Sequence, residues 1–263
     1  MEYDGLTLQK KDGIATLTFN RPDKLNALNI SMLNKLFPTL FRELDEDDDV
    51  RVLIITGAGK SFCSGADVES LTSENPFGTD KRAEKLQPVG GFAIALYNLN
   101  KPVIAAVNGL AAGGGLSIAL LSDIRIASDN AKFSLVFVRR GVIPDCGASF
   151  TLPRLIGSAR AFELMYTGDV IDAKEAERIG MINKVVPADA LMTEVNTLAK
   201  RLIKRPPLAL AQIRRAVHRG LTNDLEEQLY FESYAQNFCM NSEDFNEGVK
   251  SFLEKREPNF KGN

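Results

Sequence analysis

Two stretches of small residues follow apolar runs and are the first candidates for chemistry. Residues 61–68 read SFCSGADV, and residues 108–117 read NGLAAGGGLS with three consecutive glycines. Small side chains allow a ligand to approach the backbone closely. The start of a helix also leaves backbone N–H groups unpaired, and these can face a developing anion. The two stretches predict a pair of backbone donors, although the residues alone leave a purely structural role open for each.

A third stretch, residues 139–147, reads RRGVIPDCG and carries the acid Asp145 directly after a proline. Two interpretations of Asp145 stay open on the residues alone. It is either the N-cap of a following helix or a general acid–base group. The single histidine, His218, lies in the helical part of the chain, and we interpret it as a surface or interface residue.

The spacing of other reactive residues excludes several common sites. The glycines of residues 109–115 do not follow the G-x-G-x-x-G spacing of a dinucleotide site, and no P-loop motif occurs. The three cysteines form no C-x-x-C pair and the chain has one histidine, so we expect no metal site.

The charge balance and hydropathy narrow the class of protein further. The 263 residues carry 32 basic and 34 acidic side chains, a net charge of −2, which favours neither nucleic acid nor an anionic membrane as a partner. No run of about 18 apolar residues predicts a membrane span. The charged N-terminal segment lacks the apolar stretch of a secretory signal, and an odd cysteine count suits a reducing compartment. We therefore predict a cytoplasmic protein.

The candidate residues must be positioned by secondary structure, which the apolar periodicity predicts. A hairpin over residues 6–19 precedes a helix that Asn29 caps and Pro38 kinks. Apolar runs typical of buried strands occur at residues 52–56, 103–107 and 124–127, with helices at 81–99 and 114–121. Short apolar strands that alternate with helices predict parallel pairing and an α/β fold.

The second half of the chain differs in pattern from the first. From about residue 158 the spacing is nearly all helical, and the single predicted strand covers residues 184–186. We predict a core over residues 1–200 and a helical C-terminal region over residues 201–263. Residues 72–90 carry prolines and a glycine among charges and predict a loop.

Further motifs extend along nearly the whole chain. They are RPDKLNAL at residues 21–28, FTLPRLIG at 150–157, Thr167-Gly168 with the stretch after it, and the tail at 252–260. Together with the two small-residue turns, they resemble the enoyl-CoA hydratase/isomerase (crotonase) superfamily. The resemblance implies a crotonase-like spiral of ββα turns with a helical C-terminal trimerisation region. It also implies a homotrimer or hexamer, an acyl-CoA substrate, and no cofactor besides the coenzyme A of that substrate.

The resemblance assigns roles to residues of each motif. The backbone N–H groups of Ala66 and Gly114 are expected to hold the thioester oxygen, and Asp145 is the expected catalytic acid–base group. Lys24 is expected near a CoA phosphate, with Ala27 and Leu28 near the pantetheine. The remaining expected substrate-binding residues are Gly65, Asp67, Val68, Leu110, Gly113, Phe137 and Pro144. The loop at 72–90 is expected to close over the acyl group, with Leu71, Phe77, Leu86 and Phe92 as candidate pocket residues.

The chain departs from the hydratases of this superfamily at their two catalytic glutamates. The matching positions hold Ser117 and Phe137, whereas Asp145 stands where isomerases of the superfamily carry an acid. We therefore predict an enoyl-CoA isomerase, acting on a double bond or a ring, with Asp145 as the proton shuttle. A dehalogenase of the same superfamily also needs a histidine near residue 90 and an indole at Phe137, and both are missing here.

Two other functions stay open. The first is a hydratase or hydrolase whose water is held by Asp67, Ser117 or Cys63. The second is a protein that binds acyl-CoA without catalysis.

Overall fold

A computed structural model of the protein describes residues 1–67, 69 and 90–263. Its strands are β1 (Glu2–Tyr3), β2 (Leu6–Lys11), β3 (Ile14–Phe19), β4 (Val52–Gly57), β5 (Ser61–Cys63), β6 (Val103–Val107), β7 (Leu110–Ala112), β8 (Ile124–Ser128), β9 (Lys132–Ser134), β10 (Val170–Asp172) and β11 (Lys184–Val186). They form a seven-stranded sheet in the order β1-β2-β3-β4-β6-β8-β11 and a four-stranded sheet in the order β10-β9-β7-β5.

The α-helices cover the sheets and form the C-terminal part of the chain. They are α1 (Phe37–Glu46), α2 (Phe92–Tyr97), α3 (Gly114–Leu121), α4 (Ala148–Ile156), α5 (Ser158–Thr167), α6 (Ala173–Arg178), α7 (Leu191–Leu202), α8 (Pro207–Gly220), α9 (Leu225–Met240) and α10 (Glu243–Leu253). A π-helical segment, Met32–Leu36, leads into α1, and a 3₁₀ helix, Val136–Arg140, follows β9.

The chain winds as a spiral of similar turns. In each turn one strand joins the larger sheet and the next joins the smaller sheet, as β4 and β5, β6 and β7, and β8 and β9 do. Neighbouring turns pair in parallel, both from β4 through β6 to β8 and from β5 through β7 to β9. The predicted α/β class and the crotonase-like spiral of ββα turns are confirmed.

The central strands of the larger sheet are buried on both faces, as their continuous apolar runs predicted. Along β4, Leu53 and Ile55 pack into one hydrophobic cluster, while Val52 and Ile54 pack into another on the opposite face. Successive side chains of a strand point to opposite faces, so an uninterrupted apolar run requires cover on both. These strands of the larger sheet therefore lie between two packed layers, and the small-residue turns follow β5 and β7 of the smaller sheet.

Local signals near the N-terminus are confirmed. The hairpin turns through Asp12 and Gly13, both in the left-handed region with φ of 51° and 79°. The side-chain oxygen of Asn29 accepts the backbone N–H of Met32 at 2.8 Å and caps the next helix. Pro38 lies in the first turn of α1, directly after the π-helical segment, and the kink expected there stays a prediction.

Three predictions about the elements are corrected or untested. The nearly all-helical pattern after residue 158 missed β10, a three-residue strand whose cross-strand partner is β9. Phe92 does not line an open pocket, because it is fully buried with its ring centroid 5.2 Å from that of Phe37. Residues 72–89 of the expected loop and residues 81–89 of the expected helix lie outside the described residues. The same holds for Val68, Leu71, Phe77 and Leu86.

The C-terminal helices follow the predicted order. The Arg214 guanidinium of α8 is buried, bonds both carboxylate oxygens of Asp123 at 2.9 Å, and donates to the carbonyls of residues 96, 97 and 99. These bonds fasten α8 to the spiral. Within the described part of the chain, no helix combines the length and the apolarity needed to cross a membrane.

Candidate active site

The two small-residue turns lie side by side. Strands β5 and β7 pair in parallel, so the turns that follow them leave the same edge of the smaller sheet. Gly65 has a φ of 96°, and a Cβ atom there would lie 2.9 Å from the Ala112 carbonyl oxygen and 3.3 Å from the Gly114 nitrogen. Only glycine fits this contact, and the contact brings the first turn against the start of α3.

Each turn presents one backbone N–H that has no partner among the described residues. Leu28 forms a parallel bridge with Ala66, in which Leu28 donates to the Gly65 carbonyl and accepts from Asp67. The bridge occupies the Gly65 carbonyl and the Asp67 N–H, which lie on either side of the Ala66 N–H, and does not use the Ala66 N–H itself. Gly114 is the first residue of α3, so its N–H has no acceptor within the helix. The two N–H groups are suited to hold one oxygen that gains negative charge.

The three glycines of the triplet differ in what their positions require. Gly113 adopts a φ of 51°, which favours glycine. A Cβ at Gly115 would lie 2.3 Å from the Cys63 carbonyl oxygen, so the close packing of α3 on β5 requires glycine there. A Cβ at Gly114 would meet only the Leu28 side chain, at an ordinary 3.7 Å. Packing and backbone conformation therefore explain two of the three glycines.

An aromatic ring borders the donor turns. Phe137 lies in the 3₁₀ helix after β9 and is 7% exposed. Its Cζ atom lies 4.0 Å from the position that a Gly113 Cβ would occupy, and the Val136 side chain lies 3.7 Å from the same point. Phe137 and Val136 therefore form an apolar wall beside the second donor.

Asp145 lies in an irregular segment between this wall and α4. The N-cap of α4 is Gly147, with a φ of 83° and no side-chain cap, so the interpretation of Asp145 as an N-cap is wrong. Its side chain is half-buried, and burial raises the pKa of the Asp145 carboxyl, an effect that hydrogen bonding by the Cys146 thiol opposes. The site therefore holds a carboxyl that is a weaker acid than an ordinary aspartate.

The Asp145 segment is joined to the helix of the second donor. The Ser117 hydroxyl, fully buried in α3, donates to the Asp145 carbonyl oxygen at 3.0 Å and lies 3.3 Å from the Gly113 carbonyl oxygen. The backbone N–H of Val142 donates to the Phe137 carbonyl at 3.3 Å. These bonds join the donor turn, the apolar wall and the segment that carries Asp145 into one cluster. Pro144, the residue before Asp145, is half-buried in the same segment.

The two cysteines near the cluster are protonated thiols. Cys63 is fully buried, and burial raises the pKa of its thiol to about 12. Burial also raises the pKa of the Cys146 thiol, and the neighbouring Asp145 carboxylate raises it further. Because the thiolate is the nucleophilic form, neither cysteine is suited to covalent catalysis near neutral pH.

The early loop supports the first donor turn. The Arg21 guanidinium donates to the Ala27 carbonyl and to the Asp67 carboxylate, both at 2.7 Å, and lowers the pKa of Asp67. The Asn26 side chain donates to the carbonyls of Ala58 and Ser61 at 2.9 and 2.7 Å. The sequence analysis did not select Arg21 and Asn26, although both lie in the RPDKLNAL motif that carried the resemblance.

The remaining candidate residues have different environments. Ala27 and Leu28 are buried, whereas Lys24 is exposed and its ammonium lies 2.8 Å from the Glu69 carboxylate. Leu110 is half-buried at the start of β7. His218 is half-buried with its ring stacked on Tyr97 at 3.9 Å between centroids, which occupies one face of the imidazole.

Comparisons with known proteins agree with this architecture. The family model described as "Enoyl-CoA hydratase/isomerase" matches residues 9–263. The chain is 39% identical to the crotonyl-CoA hydratase of Syntrophomonas wolfei over 99% of both chains. It is 41% identical to the 1,2-epoxyphenylacetyl-CoA isomerase of Escherichia coli over 95% of both. The crystal structure of a putative enoyl-CoA hydratase from Streptomyces coelicolor superposes with a TM-score of 0.89 at 34% identity, covering 100% of this chain and 96% of that one.

Proposed function

Because the chain belongs to the enoyl-CoA hydratase/isomerase family, we propose that it is an isomerase of unsaturated acyl-CoA thioesters with Asp145 as the proton carrier. In this proposal the N–H groups of Ala66 and Gly114 hold the thioester oxygen. The observation that carries it is the half-buried Asp145 carboxyl, in a segment that Ser117 joins to the helix of the second donor.

Isomerisation moves one proton and needs no other reactant. The Asp145 carboxylate removes a proton from the carbon next to the thioester, and the electrons of that C–H bond form an enolate conjugated with the double bond. The two backbone donors stabilise the negative charge as it develops on the thioester oxygen. The Asp145 carboxyl then returns its proton to the far carbon of the conjugated system, so one acid–base group completes the cycle.

The surroundings of Asp145 suit a general base. A base is most effective when its pKa lies near the working pH, and an ordinary aspartate is too acidic for this. Burial raises the pKa of Asp145 toward that range. The apolar Phe137 ring beside the second donor supports the same effect, because a site with little water disfavours the charged carboxylate.

Hydration is the second candidate, because the names of relatives include hydratases. The groups considered for holding water are Asp67, Ser117 and Cys63. Asp67 is 7% exposed and paired with Arg21, and the other two side chains are fully buried. None of the three offers a free, exposed polar atom beside Asp145, and this favours isomerisation over hydration.

Incubation of the purified protein with three thioesters tests the proposal. We expect 3-enoyl-CoA to give a rising absorbance of the conjugated 2-enoyl thioester, and 1,2-epoxyphenylacetyl-CoA serves as the ring-isomerisation substrate. A loss of absorbance with 2-enoyl-CoA, without isomerisation of the others, would show a hydratase. Binding of all three without any reaction would show a protein that carries acyl-CoA and does not catalyse.

Lys24 is proposed to contact a phosphate of coenzyme A. Its exposed ammonium lies 2.8 Å from the exposed Glu69 carboxylate and 3.8 Å from the Asp67 carboxylate. The surface pair with Glu69 is worth little, so a phosphate can replace it. We expect Lys24→Ala to raise the Kd for CoA, reduce its dependence on salt, and leave turnover at saturation nearly unchanged. Calorimetric titration at several salt concentrations measures this.

The matched control for Lys24 is Lys184→Ala. Lys184 is likewise exposed and paired with a glutamate, Glu194, at 2.6 Å, but it lies on β11 at the edge of the larger sheet. Its replacement should leave the Kd unchanged. Equal effects of the two substitutions, or none from Lys24→Ala, would count against the phosphate contact.

A trimer or hexamer is proposed from the apolar surface of the C-terminal helices. Tyr234, Phe238 and Phe245 are 67%, 43% and 40% exposed, and Phe252 is 82% exposed at the end of α10. Exposed apolar groups at this density are typical of a surface that another chain covers. We expect sedimentation at micromolar concentration to give three or six times the mass of 28.9 kDa. A stable monomer under these conditions would contradict the assembly.

A further inference from the structure

The Ser117 side chain joins the helix that begins with the second donor to the segment that carries Asp145. Ser117 lies in the first half of α3, the helix that begins with the second donor, and its side chain has 0% exposure. Its hydroxyl oxygen lies 3.0 Å from the carbonyl oxygen of Asp145, which is 28 residues further along the chain. The same hydroxyl lies 3.3 Å from the Gly113 carbonyl oxygen in the preceding turn of α3.

We propose that Ser117 is a positioning residue that sets where the Asp145 carboxylate stands relative to the Gly114 N–H. This inference rests on the proposed function, because it concerns the same base and the same oxygen-binding donor. Ser117 itself contacts neither substrate nor reacting atoms in the proposal. It acts through the peptide group that follows Asp145.

The hydroxyl chemistry favours the bond to Asp145. A serine hydroxyl has one proton and donates fully to only one acceptor. The contact to the Asp145 carbonyl is shorter than the contact within the helix, and it joins two separate segments rather than closing a local turn. A serine in a helix interior otherwise bonds back to its own helix, which adds no tertiary contact.

Few other hydrogen bonds hold the segment that carries Asp145. Residues 142–145 belong to no helix or strand, and Pro144 has no N–H to donate. Cys146 and Gly147 then adopt left-handed φ values of 51° and 83°. The regular hydrogen bonds of a helix or a strand therefore do not hold this segment, and residues 142–145 do not cap a helix.

The Asp145 carbonyl is the point where this segment is held. It accepts the Ala148 N–H at 3.0 Å and the Ser117 hydroxyl at 3.0 Å, which uses both lone pairs of the oxygen. With both bonds in place the peptide plane after Asp145 has one orientation. Since the carboxyl projects from the Cα next to that plane, loss of the hydroxyl allows the carboxyl to change its position.

Ser117→Ala tests the inference. Misplacement of a catalytic group by about 1 Å can cost ~10²-fold in rate, and a partial loss of positioning should cost less. We expect kcat to fall ~10-fold with KM and the Kd for CoA nearly unchanged, because binding groups stay in place. Should the alanine variant not fold, Ser117→Cys offers nearly the same shape with a weaker donor and should still lower kcat.

Ser122→Ala is the matched control. Ser122 is also buried at the other end of α3, and its hydroxyl donates to the Ile118 carbonyl of the same helix at 3.3 Å. It makes the same back-bond without a link to the Asp145 segment. We expect the kcat of Ser122→Ala to stay within twofold of that of the parent enzyme. A twofold change in rate corresponds to ~0.4 kcal/mol of activation free energy. Equal losses from Ser117→Ala and Ser122→Ala would overturn the inference.

A double substitution separates positioning of the base from general support of the fold. If Ser117 acts through the carboxylate, Ser117→Ala should have no further effect on α-proton exchange once Asp145→Asn has removed the base. A further ~10-fold loss in the Asp145→Asn background would show a structural role and overturn the inference. The proposed function fails separately, when Asp145→Asn alone leaves isomerisation and exchange intact.

Discussion

Asp145→Asn should lower isomerase turnover by ~10²–10⁴-fold, the usual contribution of a general acid–base group. The amide has nearly the shape of the carboxyl but does not accept a proton. Exchange of the substrate α-proton with deuterated solvent should fall by a similar factor, because it needs the same base. The Kd for CoA should stay unchanged. Full isomerisation and exchange in this variant would show that Asp145 is not the base.

The control for this substitution is an aspartate that the structure shows to be a helix cap. Asp172 caps α6 by accepting the Glu175 N–H at 2.8 Å, and asparagine serves nearly as well at such a position. Asp172→Asn should therefore retain turnover. Similar behaviour of the two variants would mean that the Asp145 side chain is structural.

The pH dependence of the parent enzyme provides an independent measurement. Burial raises the pKa of the Asp145 carboxyl above the usual value of an aspartate, and only the deprotonated form is a base. Turnover should therefore rise with pH through an acid limb that lies above this usual value. On the acidic side of the limb the Asp145 carboxylate is protonated, and turnover is lost. The residual turnover of Asp145→Asn should lack the limb. An acid limb that persists there would belong to another group.

Gly114→Pro should lower turnover by ~10²–10³-fold, the cost of losing one donor to a developing oxyanion. Gly114 is the first residue of α3, where proline is well tolerated because its missing N–H has no acceptor within the helix. The substitution therefore removes the proposed donor without removing a helical hydrogen bond. A folded proline variant with normal turnover would show that the thioester oxygen binds elsewhere.

Gly114→Ala is the control that keeps the donor. Its Cβ would lie 3.7 Å from the Leu28 side chain, an ordinary contact, and the φ of Gly114 is not in the left-handed region. We expect the alanine variant to fold and to keep most of its turnover. Circular dichroism and the Kd for CoA, measured for both variants, exclude an indirect effect on the fold.

Much of the architecture is predictable from the sequence, because the relevant signals are local. The alternation of β3, the apolar runs of β4, β6 and β8, and the helical spacing after residue 190 each record which faces are buried. Parallel pairing then follows from the order of the elements. The short strand β10 was missed because three residues, whose pairing with β9 is antiparallel, carry too little pattern to stand out among helices.

The candidate site was predictable only in part. The small-residue turns and Asp145 stand out by residue type, and their grouping followed from the resemblance. The tertiary structure assigns the N-cap of α4 to Gly147 instead of Asp145, pairs Asp67 with Arg21, and buries Phe92 against Phe37. Each of these features depends on backbone angles or on contacts between separated segments.

By itself, therefore, the sequence determined the order of most helices and of the longer strands, the turns able to present backbone donors, and Asp145 as the candidate acid. Only the tertiary structure decided which glycines are required by packing and that Ser117 reaches the Asp145 carbonyl. The physical reason is one of range. Periodicity and turn chemistry act over a few neighbouring residues, whereas a 3.0 Å bond between residues 28 positions apart exists only after α3 has packed against the Asp145 segment.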